Sequence, residues 1–401
     1  MRILFVHQNM PGQFKHLAPQ LAARGHEVSF ITRKAEGSAK GVRRLVYEPA
    51  REVAPSTHHY LIQMESAVLN GQAVARLALK LEADQERPDV IVAHPGWGET
   101  LYLKDVWPRV PLLHYCEFYY RAHGLDVNFD PGDPFTFDET CRLRTRNAHQ
   151  LLSLEACDRG ISPTEWQRRT HPEPYRGKIE TIFDGIDTDR LKPDPTARFA
   201  LPDGRVLTAE DEIVTYVSRN LEPYRGFHSF IRALPALLAK RPAAQIVIAG
   251  GDDVSYGRRA PAGRNWREHM LAEVPLDPQR VHFTGTLPYD RYLDLLRISS
   301  LHLYLTVPFV LSWSMVEAMS TGCLILGSST PPVEEFLEDG SNGVTVDMLD
   351  PAAIAARAAE MLAAGSKLDP LRRAARETVL ERCALARCLP RQLALVTGMA
   401  G

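Results

Sequence analysis

Short apolar runs recur along the chain, and most are followed by a stretch with helical spacing. RILFVH (2–7) reads as a buried strand, and a loop holding Pro11 and Gly12 follows it. Residues 13–23 read as an amphipathic helix stopped by Gly25, and 27–32 as a second strand. Strand, turn, helix and strand make a βαβ unit, which implies parallel pairing. The alternation continues through a strand at 42–47, a helix over 60–84, and strands at 89–93 and 110–120. A helix over 141–158, a short strand, a turn and a helix over 159–169, and a strand near 178–183 follow. Residues 121–140 show no periodicity and read as an excursion or a lid loop over a cleft. The stretch 192–210, rich in Pro, Asp, Ala and Arg, reads as a linker.

The pattern then restarts. Strands are expected at 212–218, 244–251, 280–285, 301–307, 323–328 and 343–347, with helices at 227–240, 289–298, 313–321 and 351–364. The tail 369–398 reads as helix broken at Pro390. The expected architecture is α/β: two Rossmann-like domains with parallel sheets facing across a cleft. The N-terminal domain spans 1–195, with a helix at about 385–401 packing back on it, and the C-terminal domain spans 196–384.

Composition narrows the class. At 401 residues, 45% hydrophobic and 24% charged, the chain is of ordinary globular make-up, and its length suits two domains. A net charge of −2 gives no general case for nucleic acid binding. Residues 1–51 are locally basic, with nine Lys/Arg against three Glu. That excess reads either as a solvated face or as a face for an anionic acceptor or membrane surface. The six cysteines show no Cys-x-x-Cys pair and no metal-ligand spacing, which fits a reducing compartment. No apolar run suits a signal peptide or a membrane span. A cytoplasmic location is therefore expected, with peripheral contact at the inner membrane face left open.

Candidate chemistry gathers at strand ends. In PFVLSWSMVEAMSTG (308–322), an apolar strand feeds a helix start. Helix-start N–H groups lack internal partners and favour anions. Ser312 and Ser314 would cap that turn or donate to a phosphate, beside Leu311, and Glu317 would accept from a ribose diol. An ordinary capped strand–helix unit is the plain alternative. Two earlier strands end in histidines, His94 and His114, the second followed by Glu117. Arg219 and Arg225 lie on one loop after a strand, placed to meet a diphosphate. Gly12 is a weaker anion-site candidate, since the loop is not Gly-x-Gly-x-x-Gly.

Taken together, these stretches resemble a known family. RILFVHQNMPGQFKHLAPQLAARGHEVSFIT, TIFDGIDTDRLKP, YVSRNLEPYRGF, VHFTGTLPYDRY and VEAMSTGCLILGSSTPPVEEFLEDGSNG occur in the order found in retaining glycosyltransferases of family 4 (glycosyl transferases group 1), which have the GT-B fold. The resemblance implies a hexosyltransferase-type enzyme using a nucleoside diphosphate sugar without cofactor or metal. It implies a glycan or lipid-linked acceptor, as in polysaccharide biosynthesis. It assigns His114, Arg219 and Arg225 to catalysis, and Gly12, Gly285, Leu311, Ser312, Ser314 and Glu317 to the donor nucleotide. His94, Glu117 and Phe309 become acceptor or sugar contacts. The family's paired glutamates, eight positions apart, are broken here, because Phe309 stands where the first would fall. The alternative is a nucleotide-sugar-binding protein that kept the fold without the transfer.

Overall fold

The computed structural model describes residues 1–400. It divides into two compact units, Met1–Gly185 with Leu385–Gly401, and Ile186–Ala384. The first holds seven strands: β1 (Arg2–Val6), β2 (Glu27–Thr32), β3 (Val42–Val46), β4 (Val90–Ala93), β5 (Leu112–Tyr115), β6 (Arg159–Ser162) and β7 (Ile179–Thr181). All pair in parallel, in the order β3-β2-β1-β4-β5-β6-β7. Chain order reverses between β1 and β4, and β1 pairs with both β2 and β4 through Ile3 and its neighbours. Loops leaving those strands diverge, and such a crevice is where open α/β sheets bind ligands. Every residue of β4 and β5 is buried, as expected for strands covered on both faces. Leu4, Val6, Ile91 and Ala93 pack with Val74, Ala78 and Leu81 of the helix Ile62–Ala83.

Local chemistry revises several expected boundaries in this unit. The helix expected at 141–158 is two, Phe137–Arg146 and Ala148–Ala156, meeting at Asn147. The first starts early because Thr136 and Glu139 form a reciprocal cap. Pro390 does not break the C-terminal helix, which runs Leu385–Met399. The break falls at Cys383 and Ala384, where Ile186 N–H bonds to the Cys383 carbonyl at 2.7 Å. The C-terminal helix is tied to the first unit by the Gln392 amide, which donates to the Phe183 carbonyl at 2.8 Å.

The second unit opens with a feature not expected from composition. Residues 192–210 are not a linker: β8 (Arg198–Ala200) and β9 (Val206–Thr208) pair as an antiparallel hairpin. Phe199 and Leu207 are buried and pack on Ile213, Val247, Leu295 and Ile298. Six parallel strands follow: β10 (Ile213–Asn220), β11 (Gln245–Gly251), β12 (Val281–Gly285), β13 (Leu301–Tyr304), β14 (Ile325–Ser328) and β15 (Val344–Val346). Their order is β12-β11-β10-β13-β14-β15. The same doubly wound arrangement is thus built twice, and in this unit the reversal lies between β10 and β13.

Candidate active site

In the first unit, the reversal point gathers polar side chains from three strand ends. His7 follows β1, His94 follows β4, and Glu117 follows β5 by two residues. The Asn9 N–H donates to His7 Nδ1 at 2.8 Å, so the proton sits on Nε2, which donates to Gln13 Oε1 at 2.7 Å. Gln13 Nε2 in turn donates to Glu117 Oε1 at 2.9 Å. On the other side, the Gly96 N–H donates to His94 Nδ1 at 3.0 Å, leaving Nε2 3.5 Å from Glu117 Oε2. The Glu117 backbone is held as well, because Gln167 Nε2 donates to its carbonyl at 2.8 Å.

Burial would raise the Glu117 pKa, but His94 and Gln13 around it outweigh that and hold it below the usual carboxylate range. Burial and the neighbouring His94 lower the His7 pKa to about 3, so His7 is a neutral donor. The rings are wedged in place. His7 and His94 meet edge to face at 5.0 Å, Trp97 lies 4.8 Å from His94, and Tyr115 stacks on His94 at 5.6 Å. Tyr115 donates to both oxygens of Asp184, at 2.9 and 3.0 Å.

Gly12 belongs to this packing. It has φ +53°, and a Cβ there would lie 2.8 Å from the His7 ring. About a third of the Glu117 side chain (32%) is exposed, so the arrangement presents one ionised, oriented carboxylate to solvent.

His114 is adjacent to this cluster but not part of its bonded network. It sits within β5, opposite Ala93, is 0% exposed, and has Lys178 and His94 among its electrostatic neighbours. Burial pushes its pKa down to about 3, so it is neutral and sealed in the core. The side chain offered at this strand end is Glu117. His7 and Gln13 were missed in the sequence, although His7 follows a buried strand as His94 does.

In the second unit, Arg225 ties the loops after β10 and β13 together. It is 8% exposed, and its Nη1 donates to the Tyr304 hydroxyl (3.2 Å), the Thr306 hydroxyl (2.8 Å) and the Val310 carbonyl (3.1 Å). Burial opposes its charge, but Tyr304, Tyr256 and Glu222 around it raise its pKa above the ordinary arginine value. Arg219, at the end of β10, is exposed.

Glu222 is buried and accepts the backbone N–H groups of Tyr256 (3.1 Å) and Gly257 (2.9 Å). This fixes the loop that sets Tyr256 against Arg225, 5.4 Å from its ring centre. Phe309 is buried, 5.0 Å from Tyr256 and 5.4 Å from Tyr224. Arg225 lies 5.9 Å from its ring. An aromatic wall therefore stands beside the buried cation.

The helix Trp313–Ser320 begins next to this group. Ser312 caps it, accepting from the Ser314 N–H, and its own N–H donates to the Tyr304 hydroxyl at 2.8 Å. Leu311 is buried at the turn. Glu317 is buried on the same helix, and its two oxygens accept from the Tyr289 and Tyr292 hydroxyls, each at 2.8 Å. Gly285 ends β12 at φ +67°, where a Cβ would meet nothing within 4 Å. Among the described residues, no group of three or more His, Cys, Asp or Glu side chains is set to hold a metal ion. No helix among them is long and apolar enough to cross a membrane.

Two doubly wound units, each with polar groups at its reversal point, have the make-up of the GT-B fold. The comparisons agree. Residues 24–191 match the model of the glycosyl transferase family 4 group, and 203–378 match that of the glycosyl transferases group 1. The chain belongs to the glycosyltransferases of family 4.

Among curated proteins, it is similar to a GDP-mannose-dependent alpha-(1-6)-phosphatidylinositol monomannoside mannosyltransferase of Mycolicibacterium smegmatis. The two are 28% identical over 214 residues, 49% of each chain, so the match spans about half the length of that relative. A D-inositol 3-phosphate glycosyltransferase of Streptomyces scabiei is 23% identical over 84% of this chain and 75% of its own. Among solved structures, the sucrose-phosphate synthase of Thermosynechococcus elongatus shares the fold with a TM-score of 0.71 and 18% identity, covering 100% of this chain and 99% of that one. Anabaena HepE in complex with UDP-glucose matches with a TM-score of 0.68 and 17% identity over 99% of both.

Proposed function

We propose that the chain is a retaining, metal-independent glycosyltransferase that moves a sugar from a nucleoside diphosphate sugar to a hydroxyl acceptor in glycan or polysaccharide assembly. The observation that carries this reading is Arg225. Its three Nη1 partners are neutral, and it is buried beside a capped helix start. A buried cation whose Nη1 bonds go only to neutral groups, with the nearby Glu222 engaged by the Tyr256 and Gly257 N–H groups, can take an anion, and a diphosphate supplies one. Arg219 and the first N–H groups of the helix would add to leaving-group stabilisation, in place of a metal.

Glu117 is the carboxylate that the first unit offers to a sugar or acceptor hydroxyl. With its neighbours fixed, it acts by orienting that hydroxyl. The named substrates of the two relatives, a phosphatidylinositol mannoside and an inositol phosphate, make a lipid-linked or phosphorylated acceptor a natural choice to test first. Peripheral contact at the inner membrane face would bring such an acceptor within reach. The basic N-terminal stretch lends this only partial support, since Arg2, Arg33, Arg43 and Arg51 each pair with a carboxylate.

The test is a panel of UDP-, GDP- and ADP-sugars, scored by thermal shift and by release of free nucleoside diphosphate with and without acceptor. One donor should stabilise the protein and release its diphosphate. Arg219→Ala should slow that release at an unchanged melting temperature. Unchanged turnover in that variant would overturn the assignment. Phe309 favours a second reading, donor binding without transfer, because its buried ring cannot accept from a sugar hydroxyl. Stabilisation by one donor with no release across all acceptors would favour that reading.

A further inference from the structure

The sequence points to Glu317 as the acceptor for a ribose diol, and in the empty protein each of its oxygens already accepts one hydrogen bond. The Tyr289 hydroxyl holds Oε1 and the Tyr292 hydroxyl holds Oε2, each at 2.8 Å. The two tyrosines are not equivalent. Tyr292 is 9% exposed and Tyr289 is 39% exposed, on the first turn of the helix Tyr289–Arg297. The rings lie 5.7 Å apart. The Arg190 guanidinium lies 5.0 Å above the Tyr289 ring and is itself paired with Asp290 at 2.6 Å. One donor is thus set in the core, and the other sits on a residue that is partly exposed.

We infer that Tyr289 is a displaceable stand-in for a nucleoside ribose hydroxyl, and so a determinant of how tightly, and with what selectivity, the donor nucleotide binds. The inference rests on the reading of this unit as the donor site. A buried carboxylate must keep its hydrogen bonds in the empty protein, and Tyr289 provides one. An arriving ribose offers an equivalent donor, and the partly exposed Tyr289 side chain can turn its hydroxyl toward water. Tyr292, buried, keeps its bond in both states. Binding therefore swaps one hydroxyl for another at Oε1, so the ribose bond yields less net affinity than a bond to a free carboxylate would. Removing the Tyr289 hydroxyl takes away the competitor and leaves the empty site less satisfied.

The experiment is calorimetry on the full chain, wild type and Tyr289→Phe, with UDP, GDP and ADP and the 2′,3′-dideoxy form of each. The expected result is that Tyr289→Phe binds the best ribonucleotide roughly three- to tenfold more tightly, the value of one exchanged hydrogen bond. Its dideoxy form should change by less than about twofold. A merely structural tyrosine would alter both ligands alike. Equal changes in the two forms, or no tightening of the ribonucleotide, would overturn the inference while leaving the donor site in place. No binding of any nucleotide to either protein would overturn the donor-site reading and this inference with it.

Discussion

Gln13 Nε2 donates to Glu117 Oε1 at 2.9 Å, across 104 positions of the chain. The bond joins the loop after β1 to the loop after β5, and His7 fixes the far end of the amide. Gln13 holds the carboxylate through its amide N–H, and its oxygen, which can only accept, receives His7 Nε2–H.

This bond helps hold Glu117 ionised against burial. Gln13→Leu should remove that support and move the acid limb of the pH–rate profile upward, with little change in rate on the alkaline side. Glu117→Gln should lower turnover about tenfold to a hundredfold on the plateau and remove the acid limb, because wild type has already lost the carboxylate below it. A pH–rate profile identical to wild type in Gln13→Leu would show that the Gln13 bond does not tune Glu117.

His114 supports a prediction of opposite sense. It is fully buried, with its pKa pushed down to about 3, while an unfolded chain takes up the proton near the ordinary value of 6.5. Its contribution to stability is therefore whole above about pH 6.5 and is lost as the pH falls toward 3, at about 1.4 kcal/mol per pH unit. His114→Leu removes that linkage. At pH 5 the variant should outlast wild type by about 2 kcal/mol relative to their difference at pH 7, read from urea midpoints. It should keep its turnover. A folded His114→Leu protein with no turnover would return His114 to the reaction.

The contrast between His114 and Glu117 shows what the pattern of residues could and could not reveal. Buried apolar runs marked the strands because parallel sheets covered on both faces hide nearly every position. They also showed that polar residues at the run ends lie near a ligand crevice. Which face a terminal residue takes depends on where pairing stops, and β5 stops at Tyr115. His114 therefore remains inside the ladder, while Glu117 falls just beyond it. The Tyr289 and Tyr292 contacts with Glu317 cross 28 and 25 positions, and no local spacing announces such a pairing. The hairpin at 198–208 was hidden for a different reason. Its strands are three residues each, too short for alternation to stand out from the Pro, Asp and Arg around them.

That hairpin gives a stability test. Phe199 is almost wholly buried and lies among Leu207, Ile213, Val247 and Leu295, with Arg291 4.7 Å from its ring. Phe199→Ala should cost the second unit about 3–5 kcal/mol. A linker residue would cost almost nothing. Limited proteolysis should cut the variant within 192–210 at a protease level that leaves wild type intact.

Tyr292 carries the last prediction, because its role separates from that of Tyr289 by burial alone. Its hydroxyl is the partner of Glu317 Oε2, and burial beside that carboxylate raises its own pKa far above the ordinary tyrosine value. The hydroxyl therefore stays protonated and donating throughout the working range. Tyr292→Phe keeps the ring and leaves a buried carboxylate oxygen without a donor. The cost should be about 1–3 kcal/mol, seen as a fall of several degrees in melting temperature. Glu317→Gln in the same background should recover part of that loss, since an uncharged amide is cheaper to leave half-bonded in the core. If the double variant is less stable than Tyr292→Phe, the carboxylate is being held by something other than the two hydroxyls.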